Sequence, residues 1–398
     1  MVKNNEWKKL NLSDCVDIYQ GGTPSTTNPS YWGGEIVWVT PTDITSLSGR
    51  IILSSERKIT EEGLEKSSAV LLQPGTILLC SRATIGASAI AGVPLATNQG
   101  FKNLVAKENC DSTFLYYLLK TKVGEMLSKA SGSTFLEISK TNLLNISISI
   151  PPIEEQKRIA KTLVTLDDFL KDLDNQIEKK QGVRDGMLED LVSGKARLPG
   201  FNGDWEIAEL HEIADMYDGT HQTPKYTNSG IRFISVEDIS NIYGSQKYIS
   251  NEDFIRDFKV FPEIGDIVMT RIGDIGTPAL ITNDEPLSYY VSLALLKNIK
   301  LVPSFLKFYI IGKEFKRELD KRTLHQAYPK KINKNEIGYC LVKYPPESEQ
   351  RAISEILISM EDELELLKQK KAKYTMIRNG IMEELLIKPS RLKKQEVQ

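Results

Sequence analysis

The sequence predicts an α+β protein built as an internal repeat, in which a mixed α/β domain followed by a long helix occurs twice. Its 398 residues can bury two hydrophobic cores. Matching segments recur about 198 residues apart, and each half ends in a heptad pattern after a Pro-Pro pair. The predicted organisation is a first domain over 1–150, a helix over 151–195, a linker over 196–204, a second domain over 205–344, and a second helix with a C-terminal tail over 345–398.

Each domain opens with a tryptophan and a turn-rich loop. WKKLNLSDCVDIYQGG begins at Trp7, and WEIAELHEIADMYDGT begins at Trp205. The loop GGTPSTTNPSYWGG (21–34) precedes IVWV, and its counterpart DGTHQTPKYTNSG (218–230) precedes IRFISV. Because Gly, Pro and Asn each favour turns for a different backbone reason, both segments are predicted to be loops that feed a strand.

A second pair of matching segments predicts a strand followed by a small loop. PGTILLCSRATIG (74–86) stands beside IGDIVMTRIGDIG (264–276), and each contains a Gly turn, a β-rich run and an Ile-Gly end. An arginine follows the run in both copies, Arg82 in the first and Arg271 in the second, displaced by one residue.

Pro151-Pro152 and Pro345-Pro346 each introduce a long helix with a heptad seam. Proline is tolerated before a helix and in its first turn, and the glutamates that follow suit a helix N-terminus. Apolar residues recur at alternating spacings of four and three. The predicted seam comprises Ile159, Leu163, Leu166, Leu170, Leu173 and Ile177, then Ile353, Leu357, Met360, Leu364 and Leu367. Two matching seams can pack together, and an antiparallel pairing would relate the domains by a pseudo-two-fold axis.

Composition favours a soluble globular protein. The chain is 40% hydrophobic and 26% charged. No apolar run approaches the ~18 residues that span a bilayer, and the N-terminus has no signal-peptide pattern. We therefore expect a cytoplasmic protein with no membrane partner. The four cysteines lack metal-ligand or CxxC spacing and only three histidines occur, so we expect buried free thiols and no metal site.

Charge is unevenly distributed along the chain. The net charge of −2 argues weakly against nucleic-acid binding. Residues 297–334, however, hold eleven Lys and Arg against three Asp and Glu, whereas residues 204–285 hold six against sixteen. A polarised domain can present a basic face whatever its total charge, although a solvated amphipathic helix would give the same pattern.

No motif for catalysis is found. The sequence lacks GxxxxGK[ST], a GxGxxG after a strand, and GxSxG. Asn28-Pro29-Ser30-Tyr31 is similar to the Asn-Pro-Pro-aromatic motif of amino-methyltransferases, but no Gly-rich cofactor strand precedes it. Glu155-Gln156-Lys157 has the E-x-K form of a nuclease site without an upstream acid. These observations predict a binding protein rather than an enzyme.

The combination of GGTPST, YWGG, WVTPTDI, SRATIG and IPPIEEQKRIA resembles the type I restriction-modification specificity subunit over almost the whole chain. The resemblance implies a non-catalytic subunit with two target-recognition domains. Each would read one half of a bipartite, asymmetric site in double-stranded DNA. The two helices would form an antiparallel coiled coil that fixes the distance between the domains and carries two methyltransferase subunits.

The resemblance also implies partners and cofactors. The modification subunits would methylate adenine with S-adenosylmethionine, and restriction subunits would hydrolyse ATP with magnesium and cut DNA, so no cofactor is expected on this chain. The second copy departs from the pattern. His221-Gln222 are inserted, the loop reads TRIGDIG, and ATNQG (96–100) has no clear counterpart, which favours two different half-sites.

Base reading requires polar or cationic side chains at groove edges, supported by phosphate contacts. The predicted DNA-binding residues of the first domain are Thr23, Ser25, Thr26, Arg82, Thr84, Asn98, Gln99, Lys102, Ser133 and Thr134. Those of the second are His221, Gln222, Lys225, Arg271, His325, Gln326, Tyr328, Lys330 and Lys331. Each has a structural alternative, since Ser and Thr often bond their own turns and either arginine can serve the fold.

Two other interpretations stay open. A coiled-coil scaffold for protein interactions would need no DNA, although the basic segment and the paired polar loops argue against it. The specificity half of a related system with fused cutting and modifying activities would have the same sequence features.

Overall fold

The computed structural model describes residues 7–132 and 136–387, and the first domain is mixed α/β. Its strands are β1 (Lys8–Asn11), β2 (Val16–Gln20), β3 (Trp32–Val39), β4 (Ile51–Ile52), β5 (Arg57–Ile59), β6 (Ile77–Cys80), β7 (Ser88–Ala91), β8 (Leu95–Thr97), β9 (Phe101–Ala106) and β10 (Ser147–Ile150). Its helices are α1 (Pro41–Thr45), α2 (Glu61–Glu65), α3 (Ser112–Lys120), α4 (Val123–Ser128) and α5 (Lys140–Leu144). Single 3₁₀ turns cover Leu12–Asp14 and Pro29–Tyr31.

Three sheets make up the first domain. The largest has the order β2-β9-β6-β7-β4, a second has the order β5-β3-β8, and β1 pairs with β10. All four residues of β6 are buried, as its continuous apolar sequence requires. Helix α3 packs its apolar residues into the core. Asp111 caps the N-terminus of this helix, because its side chain accepts a hydrogen bond from the Phe114 N–H at 2.8 Å.

The second domain has the same kinds of element in the same order. Its strands are β11 (Glu206–Glu209), β12 (Asp215–Asp218), β13 (Ile231–Ile234), β14 (Tyr248–Ile249), β15 (Ile267–Thr270), β16 (Pro278–Leu280), β17 (Leu287–Tyr289), β18 (Leu293–Lys297) and β19 (Leu341–Tyr344). Its helices are α7 (Leu210–Ile213), α8 (Asn251–Asp257), α9 (Pro303–Ile311), α10 (Lys313–Arg322) and α11 (Lys334–Gly338), with 3₁₀ turns at Val236–Asp238 and Ile242–Gly244.

Sheet topology confirms the internal repeat. The order β12-β18-β15-β16 reproduces β2-β9-β6-β7, and β14-β13-β17 reproduces β5-β3-β8. The parallel pair β3 and β8 has its counterpart in the parallel pair β13 and β17. In each domain the first and last strands also pair antiparallel. Among the residues that the structure describes, the sheet order of the second domain has no equivalent of β4.

Each domain is followed by a 40-residue helix. These helices, α6 (Ile153–Val192) and α12 (Glu347–Leu386), begin directly after Pro151-Pro152 and after Pro345-Pro346. The chain divides into two compact units that cut across both helices. The described residues of 1–175 and 368–398 form the first unit, and 176–367 form the second. Each unit contains part of each helix.

Helix pairing is antiparallel within the first unit. Arg378 bonds Asp167 at 2.9 Å, and Lys371 forms an ion pair with Asp174 seven residues further along α6. The rings of Phe169 and Tyr374 lie between these pairs, 4.6 Å apart.

Two polar contacts hold α6 on the first domain. The Tyr117 hydroxyl donates to Asp167 at 2.6 Å, and burial raises the pKa of Tyr117, so it serves as a neutral donor. Arg50 pairs with Asp168 at 2.6 Å, and this hydrogen bond raises the pKa of the guanidinium. The helix is therefore attached to the domain through two successive carboxylates.

The second unit shows the same antiparallel sense. Lys180 pairs with Glu363 at 2.6 Å, and Arg184 approaches Glu361 at 3.9 Å. All the predicted seam residues are buried or half-buried. The first two seam residues of each helix also pack into the core of a domain. Ile159 and Leu163 belong to the core cluster of the first domain, and Ile353 and Leu357 belong to that of the second.

The Glu-Gln pair after each Pro-Pro has a defined structural role. Gln156 is fully buried, accepts from the Asp111 N–H at 2.9 Å and donates to the Pro151 carbonyl at 2.9 Å. Gln350 accepts from the Val302 N–H at 2.8 Å and donates to the Pro345 carbonyl at 2.8 Å. In both domains one amide thus joins the start of the long helix to the start of the preceding core helix.

The glutamates of these pairs differ in their partners. Glu155 accepts from the indole N–H of Trp7 at 3.3 Å. Glu349 instead accepts two hydrogen bonds of 2.7 Å from Arg197, which lies in the segment after α6.

The four cysteines are buried and free, as expected. Burial raises the pKa of Cys80 to about 11 and that of Cys340 to about 12, so both thiols stay protonated near neutral pH. Within the described ranges no helix is long and apolar enough to cross a membrane.

Candidate nucleic-acid interface

In the first domain, three chain turns meet at one end of the sheets. They are residues 20–27, 81–86 and 98–100, which we call the first loop cluster. The Gly22 N–H donates to the Thr97 carbonyl at 2.8 Å. A Cβ at Gly21 would lie 1.9 Å from the Asn98 carbonyl oxygen, so this close approach requires glycine. The Gly-Gly of the sequence therefore brings the loop against the end of β8.

Aromatic residues fix the shape of the 21–31 loop. The Trp38 indole donates to the Gly22 carbonyl at 2.9 Å, and the Trp32 indole donates to the Ser25 carbonyl at 3.0 Å. The two indole rings pack edge to face at 4.9 Å, and the Arg57 guanidinium lies 3.6 Å from the centre of the Trp32 ring. The exposed side chains of Ser25 and Thr26 are thus presented from a rigid backbone.

Several predicted residues of the first domain come together in this cluster. Thr23 donates to the Gln99 side chain, and Gln99 is exposed. Arg82 is half-buried, and its Nε would lie 3.4 Å from a Cβ at Gly100. Asn98 accepts from the Gly100 N–H at 2.9 Å and therefore shapes its own turn. Thr84 is exposed beside them, whereas Ser133 and Thr134 lie outside the described residues.

The second domain has an equivalent second loop cluster, formed by residues 218–225, 271–276, 290–292 and 324–331. The Thr220 N–H donates to the Tyr289 carbonyl at 3.1 Å, and the Gly273 N–H donates to the Lys330 carbonyl at 2.8 Å. A hairpin loop closes where the Leu324 N–H meets the Lys331 carbonyl at 2.8 Å. The exposed predicted residues are His221, Gln222, Lys225, His325, Gln326, Tyr328, Lys330 and Lys331.

The ATNQG segment does have a counterpart, contrary to the prediction from sequence. Ser81 N–H bonds the Gly100 carbonyl at 2.8 Å, and Arg271 N–H bonds the Ser292 carbonyl at 2.9 Å. Residues 96–100 therefore correspond to SYYVS at 288–292. The sequence does not reveal this equivalence because the two segments share backbone hydrogen bonds but not side chains. Tyr290 and Val291 occupy the positions of Asn98 and Gln99.

Lys102 and Arg271 are buried beneath the loops, and we expect a structural role for both rather than the predicted DNA contact. Lys102 is 4% exposed and bonds Gln20 at 3.2 Å and Glu137 at 3.0 Å. Arg271 is 9% exposed, donates to the Val291 carbonyl at 2.8 Å and pairs with Asp218 at 3.2 Å. Each cation is held by the protein instead of being offered to a ligand.

The two buried cations occupy different positions around equivalent acceptors. Strand register places Lys102 opposite Leu79, whereas Ala294 is opposite the equivalent Met269. Gln20 and Asp218, which receive the cations, both directly precede the Gly of the loop. These two acceptors were not among the residues predicted from the sequence, although their shared place before that Gly is a signal for them.

The model of the type I restriction modification DNA specificity domain matches residues 4–180 and 202–375. The chain belongs to this family. Each match covers one domain and most of the long helix that follows it, so the repeat consists of two specificity domains.

Known specificity subunits support this assignment. The type I restriction enzyme MjaIX specificity subunit of Methanocaldococcus jannaschii is 33% identical over 273 residues, which are 64% of this chain and 63% of that protein. The putative MjaX specificity subunit of the same organism is 24% identical over 423 aligned positions, covering 98% of this chain and 94% of that protein. A crystal structure of the S subunit from M. genitalium aligns over 97% of both chains with a TM-score of 0.63 at 18% identity, which shows a common fold.

Both specificity domains present polar loops, and the chemistry at equivalent places differs. The first offers hydroxyls and an amide from Thr23, Ser25, Thr26 and Gln99. The second offers two imidazoles, two amides and three lysines. Among the described residues no three His, Cys, Asp or Glu side chains lie together in a way that could hold a metal ion.

Proposed function

We propose that this chain is the non-catalytic specificity subunit of a type I restriction-modification complex and reads a bipartite, asymmetric site in double-stranded DNA. One observation carries the proposal. The same sheet topology supports a polar loop cluster twice, and the side chains at equivalent positions differ. A protein that bound one symmetric sequence would have no need for different groups at these positions.

The chemistry of the clusters suits groove reading. Amides and hydroxyls can bond the edges of bases, and lysine can bond guanine or a phosphate. The Trp32 and Trp38 contacts hold the first loop before any ligand arrives, which lowers the ordering cost of binding. In the second domain His325 and Gln326 lie on a hairpin tip, where a loop can enter a groove.

The paired long helices would act as spacer and docking surface. At ~1.5 Å per residue a 40-residue helix is about 60 Å long. Half-sites one helical turn apart are separated by about 34 Å, so such a helix is long enough to define the unread spacer. The exposed helix faces would carry two methyltransferase subunits that methylate adenine with S-adenosylmethionine. Restriction subunits that use ATP and magnesium would join them in the cytoplasm.

Methylome sequencing tests the function directly. The chain is expressed with its modification subunit in a host that lacks other adenine methyltransferases. The expected result is one bipartite motif with an unread spacer. Gln99→Ala should relax or abolish reading in one half only, and Gln326→Ala in the other half only. A continuous motif, or a loss of both halves by either substitution in a folded protein, would contradict the proposal.

A further inference from the structure

The second domain contains an open basic cleft of about 700 Å³ beside its loop cluster. Helix α10, residues 273–275 and the loop after α10 form its walls. Five cations line it, together with a single carboxylate, that of Asp320. The cations are Lys313, Lys316, Arg317, Lys321 and Lys330.

Three of these cations form no ion pair with a carboxylate of the described residues. Lys313, Arg317 and Lys330 are exposed, and their side-chain nitrogens have no ion-pair or hydrogen-bond partner within the described residues. By contrast Lys321 pairs with Glu318 at 2.7 Å. Lys316 is bonded to the Gly276 carbonyl at 2.5 Å, and burial lowers the pKa of its ammonium. Lys313 and Arg317 are therefore free cations on α10, and Lys330 is a free cation on the loop after it. The bonded Lys316 holds α10 against Gly276.

Glu318, on α10 beside the cleft, is neutralised by two cations. Glu318 accepts from Lys321 and from Arg322, each at 2.7 Å, which lowers the pKa of its carboxyl. The Asp320 carboxylate lies 3.5 Å from the His325 ring. The cleft thus presents a net positive field, and a phosphodiester satisfies such a field without any base-specific group.

The equivalent positions of the first domain carry fewer charges. The Lys129–Glu125 ion pair matches the Arg322–Glu318 ion pair, each between residues four apart, and the bridge of Ser131 to Glu137 matches that of Leu324 to Lys331. With this alignment, Arg317 corresponds to Gly124 and Lys330 to Leu136. Two of the three free cations, Arg317 and Lys330, therefore have uncharged counterparts in the first domain, whereas Lys313 corresponds to Lys120.

We propose that the cleft of the second domain binds the DNA sugar–phosphate backbone without regard to sequence, and that the first domain lacks this anchor. The inference rests on the proposed function and adds an asymmetry to it. His325 and Lys330 belong to both the cleft and the second loop cluster, so backbone binding would place that cluster over its half-site. The second domain would then supply most of the salt-dependent affinity of the chain.

The test measures the salt dependence of binding. The full chain is titrated with a labelled duplex of arbitrary sequence at several salt concentrations, and log K is plotted against log salt. Each lost phosphate contact lowers the slope by about 0.9. Arg317→Gln with Lys330→Gln should therefore reduce the slope by about 1.8, and Arg317→Lys with Lys330→Arg should retain it.

A matched control removes the same charge from the first domain. Lys122→Gln with Lys129→Gln removes two cations that already pair with Glu125, at 3.6 Å and 3.0 Å, and should leave the slope unchanged. An unchanged slope in the cleft variant would overturn the inference, as would an equal loss in the control. If the cleft variant melts at a lower temperature than the unaltered chain, the charge-retaining variant is the control for stability. That variant should keep the salt slope that the cleft variant loses.

The methylome separates this inference from the proposed function. In the cleft variant the methylated motif should keep both halves, with lower occupancy at all sites. A changed letter in the second half with an unchanged salt slope would assign base reading to these residues instead. Absence of any bipartite motif with the unaltered chain would refute the proposed function, whatever the slope.

Discussion

At the scale of single residues, Gln156 and Gln350 show how a repeated sequence signature becomes a structural joint. Gln156 accepts one backbone N–H and donates to the carbonyls of Asn109 and Pro151 at 3.0 and 2.9 Å. A glutamate could not donate these bonds and a leucine could neither donate nor accept them. The amide explains why Glu-Gln, and not merely any acidic pair, follows Pro-Pro in both halves.

Replacing Gln156 by Leu should destabilise the first unit. The substitution leaves a buried N–H and two carbonyls without partners, and each such group costs about 1–3 kcal/mol. Urea denaturation followed by fluorescence should show an unfolding free energy lower by at least about 2 kcal/mol. Lys161→Gln, at an exposed site on the same helix, is the control and should have no effect. Equal stability of both variants would contradict the role given to Gln156.

The buried cations provide a second test at this scale. Lys102→Ala should weaken reading of the first half-site about tenfold or more, because hydrogen bonds to charged groups contribute about 1.5–3 kcal/mol. Adding Gln20→Asp and Ser81→Arg reproduces the arrangement of the second domain and should restore part of the loss. Methylation of each half-site reports the outcome. If Lys102→Ala alone leaves methylation unchanged, the cation does not organise the loops.

At the scale of elements, the helix pairing is antiparallel within each unit and combines ion pairs with apolar packing. The Arg378–Asp167 pair is only partly exposed and is shared with Tyr117, so it is less screened than a surface ion pair. Such an arrangement resists sliding of one helix along the other. A helix pair with a fixed register is what a spacer requires.

Lengthening both helices should lengthen the spacer of the DNA site. One heptad is inserted after Asn175 and another before Lys368, which preserves the seam register. Seven residues add about 10.5 Å, or about three base pairs at ~3.4 Å each. Methylome sequencing should show the same half-sites with a longer gap. Insertion into only one helix should abolish methylation, and an unchanged gap with both insertions would refute the spacer role.

The repeat and its helices could be predicted because their signals are local. Pro-Pro, the heptads and the Gly-rich loops are visible in the sequence, and each has a backbone reason. The burial of Arg271 and Lys102 could not be predicted, since a cation after a strand looks the same whether it faces a ligand or an internal acceptor such as Asp218. The match of 96–100 to 288–292 depends on backbone bonds that leave no trace in side-chain identity.

At the scale of the whole molecule, the first unit is completed by residues from the far end of the chain. Leu386 is 4% exposed within the core cluster of the first domain, and Met382 and Leu385 pack against that cluster. Trp7, near the other end of the chain, packs against the same cluster. A fragment that ends after the first helix would therefore lack part of its own core.

Truncation after Leu367 should destabilise the first unit. Burying a side chain such as Leu386 contributes about 1.5–3 kcal/mol, and the truncation also removes Arg378 from Asp167. Differential scanning calorimetry should show a lower melting temperature. A peptide of residues 368–398 added in trans should restore it, and the same peptide with Leu386→Asp should not. A truncated chain that melts like the full-length protein would contradict the unit assignment.

The buried cation is on a different strand end in each domain, Lys102 in the first and Arg271 in the second. This difference limits where the sequences of such domains can recombine. Exchange of a complete domain transfers the cation together with its acceptor, so the interior stays neutralised. A crossover between β6 and β9 would separate them. One hybrid would inherit Ser81 with the equivalent of Ala294 and have no buried cation, and the reciprocal hybrid would inherit Arg271 with the equivalent of Lys102 and have two. New specificities are therefore expected to arise by the shuffling of intact domains, and breakpoints should be rare within them.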